Sequence, residues 1–245
     1  MESVFILNQI AKYFILSLIN IGCGLLVTYT NTKVNYTRKI GHFSLFFIPV
    51  YLDRVFFYQK TLDLIIISYL IFFTILLIYV KPMRERSYLI DLMFKSFDRP
   101  EDRPHTLLWL VTQVVAGYMV IFPMIILFSY YDLRHLILIP ILITGIGDGL
   151  AEPVGVRFGK HRYPVNALFT DKKYYRTLEG SACVFITSIV IIAAYHASFT
   201  VPQFIAALIF VPIVMTLTEA FSPHTWDTPT LFLAGYLLLF GISFI

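Results

Sequence analysis

The sequence predicts an all-α integral membrane protein of about eight transmembrane helices, forming a single polytopic domain over residues 1–245. Composition is the first reason: 58% of the residues are hydrophobic and 14% charged, against about 25% charged in soluble chains. The mean hydropathy is +0.76. The second reason is a series of apolar runs, each near the ~20 residues that a helix needs to cross hydrocarbon. The third is the way the cations gather between those runs.

In chain order, runs of spanning length fall at about 5–30, 62–80, 106–129, 133–151, 180–198, 202–220 and 229–245. An eighth, at 41–58, is interrupted by Pro49, Asp53 and Arg54; a re-entrant or surface helix is the alternative there. With that run counted as a span, the loops at 31–40, 81–105 and 152–179 share one side and hold 15 of the 19 Lys and Arg residues, leaving Lys12, Arg54, Lys60 and Arg134. The positive-inside rule puts that side in the cytoplasm and both termini outside. Eight spans also bring every chemically suggestive motif to one face, whereas seven would separate the early motifs from the later ones. Pro123, Pro140 and Pro212 lie inside predicted spans and should kink them.

Other signals exclude function classes. The net charge of +4 is divided among loops and gives no argument for nucleic acid. Cys23 and Cys183 lie far apart in apolar stretches and read as small buried hydrophobes. The opening Met-Glu-Ser lacks a basic leader, so the first run is expected to remain as a span. A short chain with few soluble appendages fits a bacterial inner membrane. No Walker-type P-loop, Gly-x-Ser-x-Gly elbow or His/Cys cluster is present in the sequence.

The most informative stretch runs from Gly145 to Ser181. It places Gly147, Asp148, Gly149, Glu152, Gly159, Lys160 and Arg162 at the end of one apolar run, and Arg176-Thr177-Leu-Glu-Gly-Ser181 at the start of the next. Glycines let backbone approach a ligand, N–H groups of such a turn can cradle phosphate oxygens, and cations neutralise them. Asp148 and Glu152, four apart, share one face of a continuing helix and suit a hard cation such as Mg2+. A frayed helix end lining a polar cavity is expected around Asp148, because irregular backbone is tolerated at membrane depth only in such settings. The bland alternative is two carboxylates meeting water. Lys160 and Arg176 are placed to meet phosphate beside a helix N-terminus, and Thr177 to cap that helix. Lys172 and Lys173 read as ordinary basic loop residues attracted to anionic membrane lipids.

Three further segments complete the set. Arg38-Lys39-Ile-Gly-His42 sets two cations before an apolar run and a histidine one turn inside it. The turn from Glu219 to Pro229 holds Glu219, His224, Trp226 and Asp227; Trp226 suits the membrane interface, and Glu219 and Asp227 suit metal support or activation of a hydroxyl. The 81–105 loop reads as a solvated face with local ion pairs, in which Leu92, Phe94 and Phe97 mark an amphipathic surface helix.

Taken in order, Arg38-Lys39-x-x-His42, Gly147-Asp148-x-x-Ala151-x-x-x-Gly155-x-x-x-Gly159-Lys160, Arg176-Thr177-x-Glu179-Gly180-Ser181, Glu219 and Asp227-Thr-Pro resemble the CTP-dependent polyprenol kinases. That family comprises dolichol, phytol and CTP-using diacylglycerol kinases, and its central motif is similar to that of phosphatidate cytidylyltransferases. The resemblance spans nearly the whole chain, with about 40 specific residues. It implies CTP as phosphoryl donor, a lipid alcohol as acceptor, Mg2+ and nucleotide phosphates at Asp148, and phosphate contacts at Lys160, Arg176 and Thr177. Arg176 stands where a Lys is usual, and Thr228 where an Asn commonly follows the acid. Beside this reading stand a cytidylyltransferase and, from another class, a transporter using Asp148, Glu152 and Glu219 as coupling groups, although no inverted repeat is visible.

Overall fold

A computed structural model describes residues 2–59 and 61–245, the side chain of Glu2 excepted. The expected topology cation Lys60 and the opening methionine therefore lie outside the described residues. The chain is mostly helical, and four helices are long and apolar enough to cross a membrane: Ser3–Tyr29, Thr106–Tyr130, Arg134–Phe158 and Val201–Phe221. Leu62–Leu77, Leu178–Ala194 and Asp227–Ile242 are apolar but shorter. The coordinates divide into two compact units, Met1–Leu107 and Leu108–Ile245.

In the first unit, α1 (Glu2–Tyr29) packs along α2 (Val34–Val55). The helix α2 is one unbroken rod despite Pro49, but it begins earlier than the predicted run. Arg38 and Lys39 are thus inside its first turns instead of in a loop, and Lys39 is only 3% exposed. The two helices are joined by polar groups that the apolar surroundings make costly to leave unpaired. Lys12 Nζ meets Asp53 Oδ1 at 2.5 Å, and Asn8 donates to the Leu52 carbonyl at 3.1 Å.

The stretch after α3 (Leu62–Leu77) is solvated at its start, with the expected local ion pairs, and buried further on. It folds as α4 (Lys81–Arg86) and α5 (Tyr88–Lys95), and α5 packs on α1. Leu92, Met93 and Phe94 are buried, as are Asp98, Arg99 and Asp102. Alternating charge is satisfied internally: Arg99 pairs with Asp102 at 2.7 Å, and Asp98 takes Arg103 at 2.8 Å and the Thr106 hydroxyl at 2.7 Å. Each acid has a local cation within a few residues, so the segment can leave water without stranding a charge.

Close approach of α5 depends on Gly24, where an added Cβ would lie 2.0 Å from the Leu92 carbonyl oxygen; at Gly22 it would meet nothing within 4 Å. Gly24→Ala is therefore expected to lower stability by about 1–3 kcal/mol through overpacking, while Gly22→Ala is neutral or stabilising. Unfolding midpoints of the two variants in the same detergent check this, and equal midpoints would refute it.

In the second unit, α6 (Thr106–Tyr130) is followed by one continuous helical rod made of α7 (Leu138–Leu142), a π-helical turn (Ile143–Asp148) and α8 (Gly149–Phe158). A β-hairpin comes next, β1 (Arg162–Ala167) antiparallel to β2 (Thr170–Thr177), with a register shift between Val165 and Ala167. Three helices complete the unit: α9 (Leu178–Ala194), α10 (Val201–Phe221) and α11 (Asp227–Ile242). Pro123, Pro140, Pro153 and Pro212 all sit inside helical segments. The core lies where α9, α10, α11 and the rod meet, with Ile143, Val184, Val211, Met215, Leu231 and Leu239 fully shielded. The Tyr236 hydroxyl crosses this core to donate to the Ile137 carbonyl at 2.9 Å.

Two expectations are corrected here. The helix is not frayed at Asp148: it runs on through a π turn, a wide turn that accommodates one extra residue without breaking the backbone hydrogen bonds. The 162–177 segment is a ribbon and not an irregular loop, because Val165, Tyr174 and Tyr175 favour extended backbone and alternate inward and outward.

Candidate functional site

The two inner positions of the hairpin near its base are Tyr163 on β1 and Arg176 on β2, paired across the ribbon. Strand alternation sends Arg176 inward with Tyr174 while Tyr175 remains exposed. The Arg176 side chain, 11% exposed, enters a nest of acids. Nη1 lies 3.4 Å from Glu219 Oε1, near the end of α10, and Nη2 lies 3.4 Å from Asp227 Oδ2, the first residue of α11. Nη2 also reaches the Pro223 carbonyl at 3.5 Å. Asp148, on the π turn, is 4% exposed and close enough for its charge to act on both Arg176 and Glu219.

A hydrogen-bond chain extends this nest. Ser181 donates to Glu219 Oε2 at 2.7 Å, and the Tyr163 hydroxyl joins Ser181 Oγ at 2.6 Å. Burial, followed by the field of Glu219, raises the Tyr163 pKa and keeps the phenol protonated. Burial opposes the Arg176 charge, but the acids, Asp227 foremost, outweigh it and raise the guanidinium pKa. Three acidic side chains thus share one guanidinium. Nη1 of Arg176 meets Glu219 as an ion pair without a hydrogen bond, and the Thr144 hydroxyl, four residues before Asp148 in the sequence, is buried without a hydrogen-bond partner.

The structure thus joins Asp148, Arg176, Glu219 and Asp227, four residues from separate segments of the sequence. Glu152 is half-buried on the next turn of α8, while Lys160 and Arg162 have exposed side chains at and beyond the end of that helix. Arg38, Lys39 and His42 belong to α2 in the other unit, where the His42 ring lies 4.7 Å from that of Phe46. His224 is held by aromatic neighbours and by its backbone. Its ring stacks on Tyr174 at 3.7 Å and 9°, with Trp109 edge-on at 5.5 Å, and its backbone N–H donates to the Asn166 carbonyl. This clamp fixes the hairpin, and with it Arg176. Trp226 ties the same turn to α6, donating to Thr112 at 3.3 Å.

The glycines serve packing more than a ligand cradle. A Cβ at Gly147 would lie 3.0 Å from the Val184 Cα, one at Gly155 2.7 Å from Thr177 Oγ1 and one at Gly180 2.7 Å from the Ala151 carbonyl. Gly159 is likewise closed off by Thr177 and the Gly155 carbonyl. They bring α8 and α9 into backbone contact, as small residues do between membrane helices. Thr177 caps α9 as expected, accepting from the Gly180 N–H at 3.1 Å. Thr177→Ala is expected to cost about 1 kcal/mol, and Thr177→Ser to recover most of it, measured as unfolding midpoints in detergent.

Sequence reasoning missed Tyr163 altogether and gave Ser181 no role. Period-two alternation through Tyr163-Pro-Val165 and Tyr174-Tyr-Arg176 was the available signal. Among the described residues, no three His, Cys, Asp or Glu side chains converge closely enough to hold a metal ion by themselves. Asp148 and Glu152 lie four residues apart in the sequence, the first buried and the second half-buried. No protein-family model, curated protein or solved structure matches the chain.

Proposed function

We propose that the chain is a multi-pass membrane enzyme that transfers the γ-phosphoryl group of CTP to the hydroxyl of a lipid alcohol, with its site at the cytoplasmic face of a bacterial inner membrane. The observation that carries this reading is the convergence of Asp148, Arg176, Glu219 and Asp227 into one buried nest at the ends of apolar helices. In lipid, ionisable groups are costly and mark function by default.

The chemistry follows from the parts. Phosphoryl transfer needs in-line positioning and neutralisation of oxygen charge. Arg176 offers a guanidinium whose two terminal nitrogens each lie 3.4 Å from an acid, a planar donor suited to a phosphoryl oxygen. Asp148 and Glu152 would hold Mg2+, which supplies charge neutralisation on the phosphates when bound. The lipid hydroxyl oxygen forms the new bond to the γ-phosphorus as the bond to the β-phosphate oxygen breaks. Its proton passes to Glu219 or Asp227, and CDP leaves. His224 is here a positioning residue, acting on Arg176 through Tyr174. Lys160, Arg162 and Thr177 border the nucleotide, and Arg38, Lys39 and His42 are assigned to binding by the motif order alone.

Purified protein with magnesium, a panel of lipid alcohols and lipid phosphates, and CTP labelled separately at the α and γ positions tests the proposal. Label from the γ position is expected in lipid. Label from the α position instead would identify a cytidylyltransferase using the same acids. Transfer from neither would reject both and direct attention to substrate-driven ion flux in liposomes.

A further inference from the structure

The tip of the β-hairpin has features that the phosphoryl-transfer reading does not use. Phe169 is 60% exposed and sits at φ 65°, a conformation rare for a bulky residue and worth a functional explanation. The tip is the two-residue loop between the paired Ala167 and Thr170, where positive φ is required and a small residue is usual, so the large exposed ring is the unusual feature.

The hairpin's anchors give the depth of that ring. The carbonyl of Leu168 accepts from Trp109 Nε1 at 3.2 Å, and Trp109 is in the first turn of α6, which is long and apolar enough to span. On the other side, Ala167 bridges to His224, in the turn that follows α10, another helix of spanning length. Both anchors are at helix ends. A spanning helix ends where hydrocarbon gives way to headgroups, so the tip is pinned at that level. Phe221, the last residue of α10, is 82% exposed at the same end. Exposed Lys172 and Lys173 follow the tip, with Asp171 between them and Thr170. The Lys172 ammonium stands 5.1 Å from the Tyr174 ring centre.

We propose that Leu168 and Phe169 form an interfacial wedge, with Phe169 seated at the boundary of headgroups and acyl chains and Lys172 and Lys173 facing anionic headgroups. Aromatic rings favour that boundary, and cations gain from an anionic leaflet. The wedge holds the hairpin, and so Arg176, at a fixed height over the bilayer. The inference rests on reading α6 and α10 as membrane spans, but not on CTP chemistry.

The test is depth measurement on the full chain carrying Cys23→Ala and Cys183→Ala. A spin label is placed by Phe169→Cys, Asp171→Cys or Ile126→Cys, the last an exposed position about one turn before the end of α6. The protein is reconstituted in phosphatidylcholine vesicles with and without phosphatidylglycerol. Labels at 126 and 169 should collide more with oxygen than with a polar nickel complex, and a label at 171 the reverse. The label at 169 should read shallower when phosphatidylglycerol is omitted. A label at 126 in lipid with 169 in water overturns the wedge while leaving the spans intact. Water at both positions overturns the spans and the wedge together. Equal depth at 169 in both vesicles removes the cations from the proposal.

Discussion

Replacing Arg176 with methionine is expected to destabilise the protein by about 3–5 kcal/mol, the cost of breaking a buried ion pair from one side. Methionine fills much of the same volume, so the loss reports charge. Glu219 and Asp227 would face each other and Asp148 with no cation between them. Arg176→Met combined with Glu219→Gln should recover part of that loss, because one uncompensated acid is gone. Arg176→Lys should fall between, since one ammonium cannot reproduce two nitrogens that each meet a different acid. Unfolding midpoints in detergent, compared across the four proteins, give the answer. An unchanged midpoint for Arg176→Met would show that this nest is not held by ion pairing.

The largest effect on activity is expected from Asp148→Asn. If Asp148 anchors the magnesium that neutralises transferring phosphate, its loss removes several kcal/mol of transition-state stabilisation, about 10³-fold in rate. The fold should survive, because the substitution is nearly isosteric and relieves like-charge crowding with Glu219. The γ-label assay beside an unfolding curve separates the two effects. Full activity in Asp148→Asn would remove this residue from the chemistry, and lost activity with a lost fold would make it structural.

That the chain holds helices long and apolar enough to span was legible, because hydrocarbon imposes a length and a composition that can be read without partners. The acids were legible for a related reason: Asp148 and Glu219 stand out against apolar neighbours. Their common partner was not. That Arg176 serves Glu219 and Asp227 depends on a ribbon folding back onto the α10–α11 turn, and such pairing is set by tertiary contacts. Gly147 and Gly155 were visible, but close approach to a ligand and close approach to another helix leave the same residue. Within 81–105 only the later part was misread, because ion pairs can bury a sequence that looks solvated; Asp98 and Asp102 each find an arginine within a few positions.

The π turn at Ile143–Asp148 sets a phase for everything after it. Each residue of an α-helix turns the chain by about 100°, so relaxing the π turn to a plain α-helix with all its residues kept would swing α8 around its axis. Gly155 would then no longer face Thr177, Asp148 would leave the neighbourhood of Arg176, and both faults would arise from the loss of one wide turn. One widened turn therefore keeps two unrelated requirements in step, helix contact on one side and charge placement on the other.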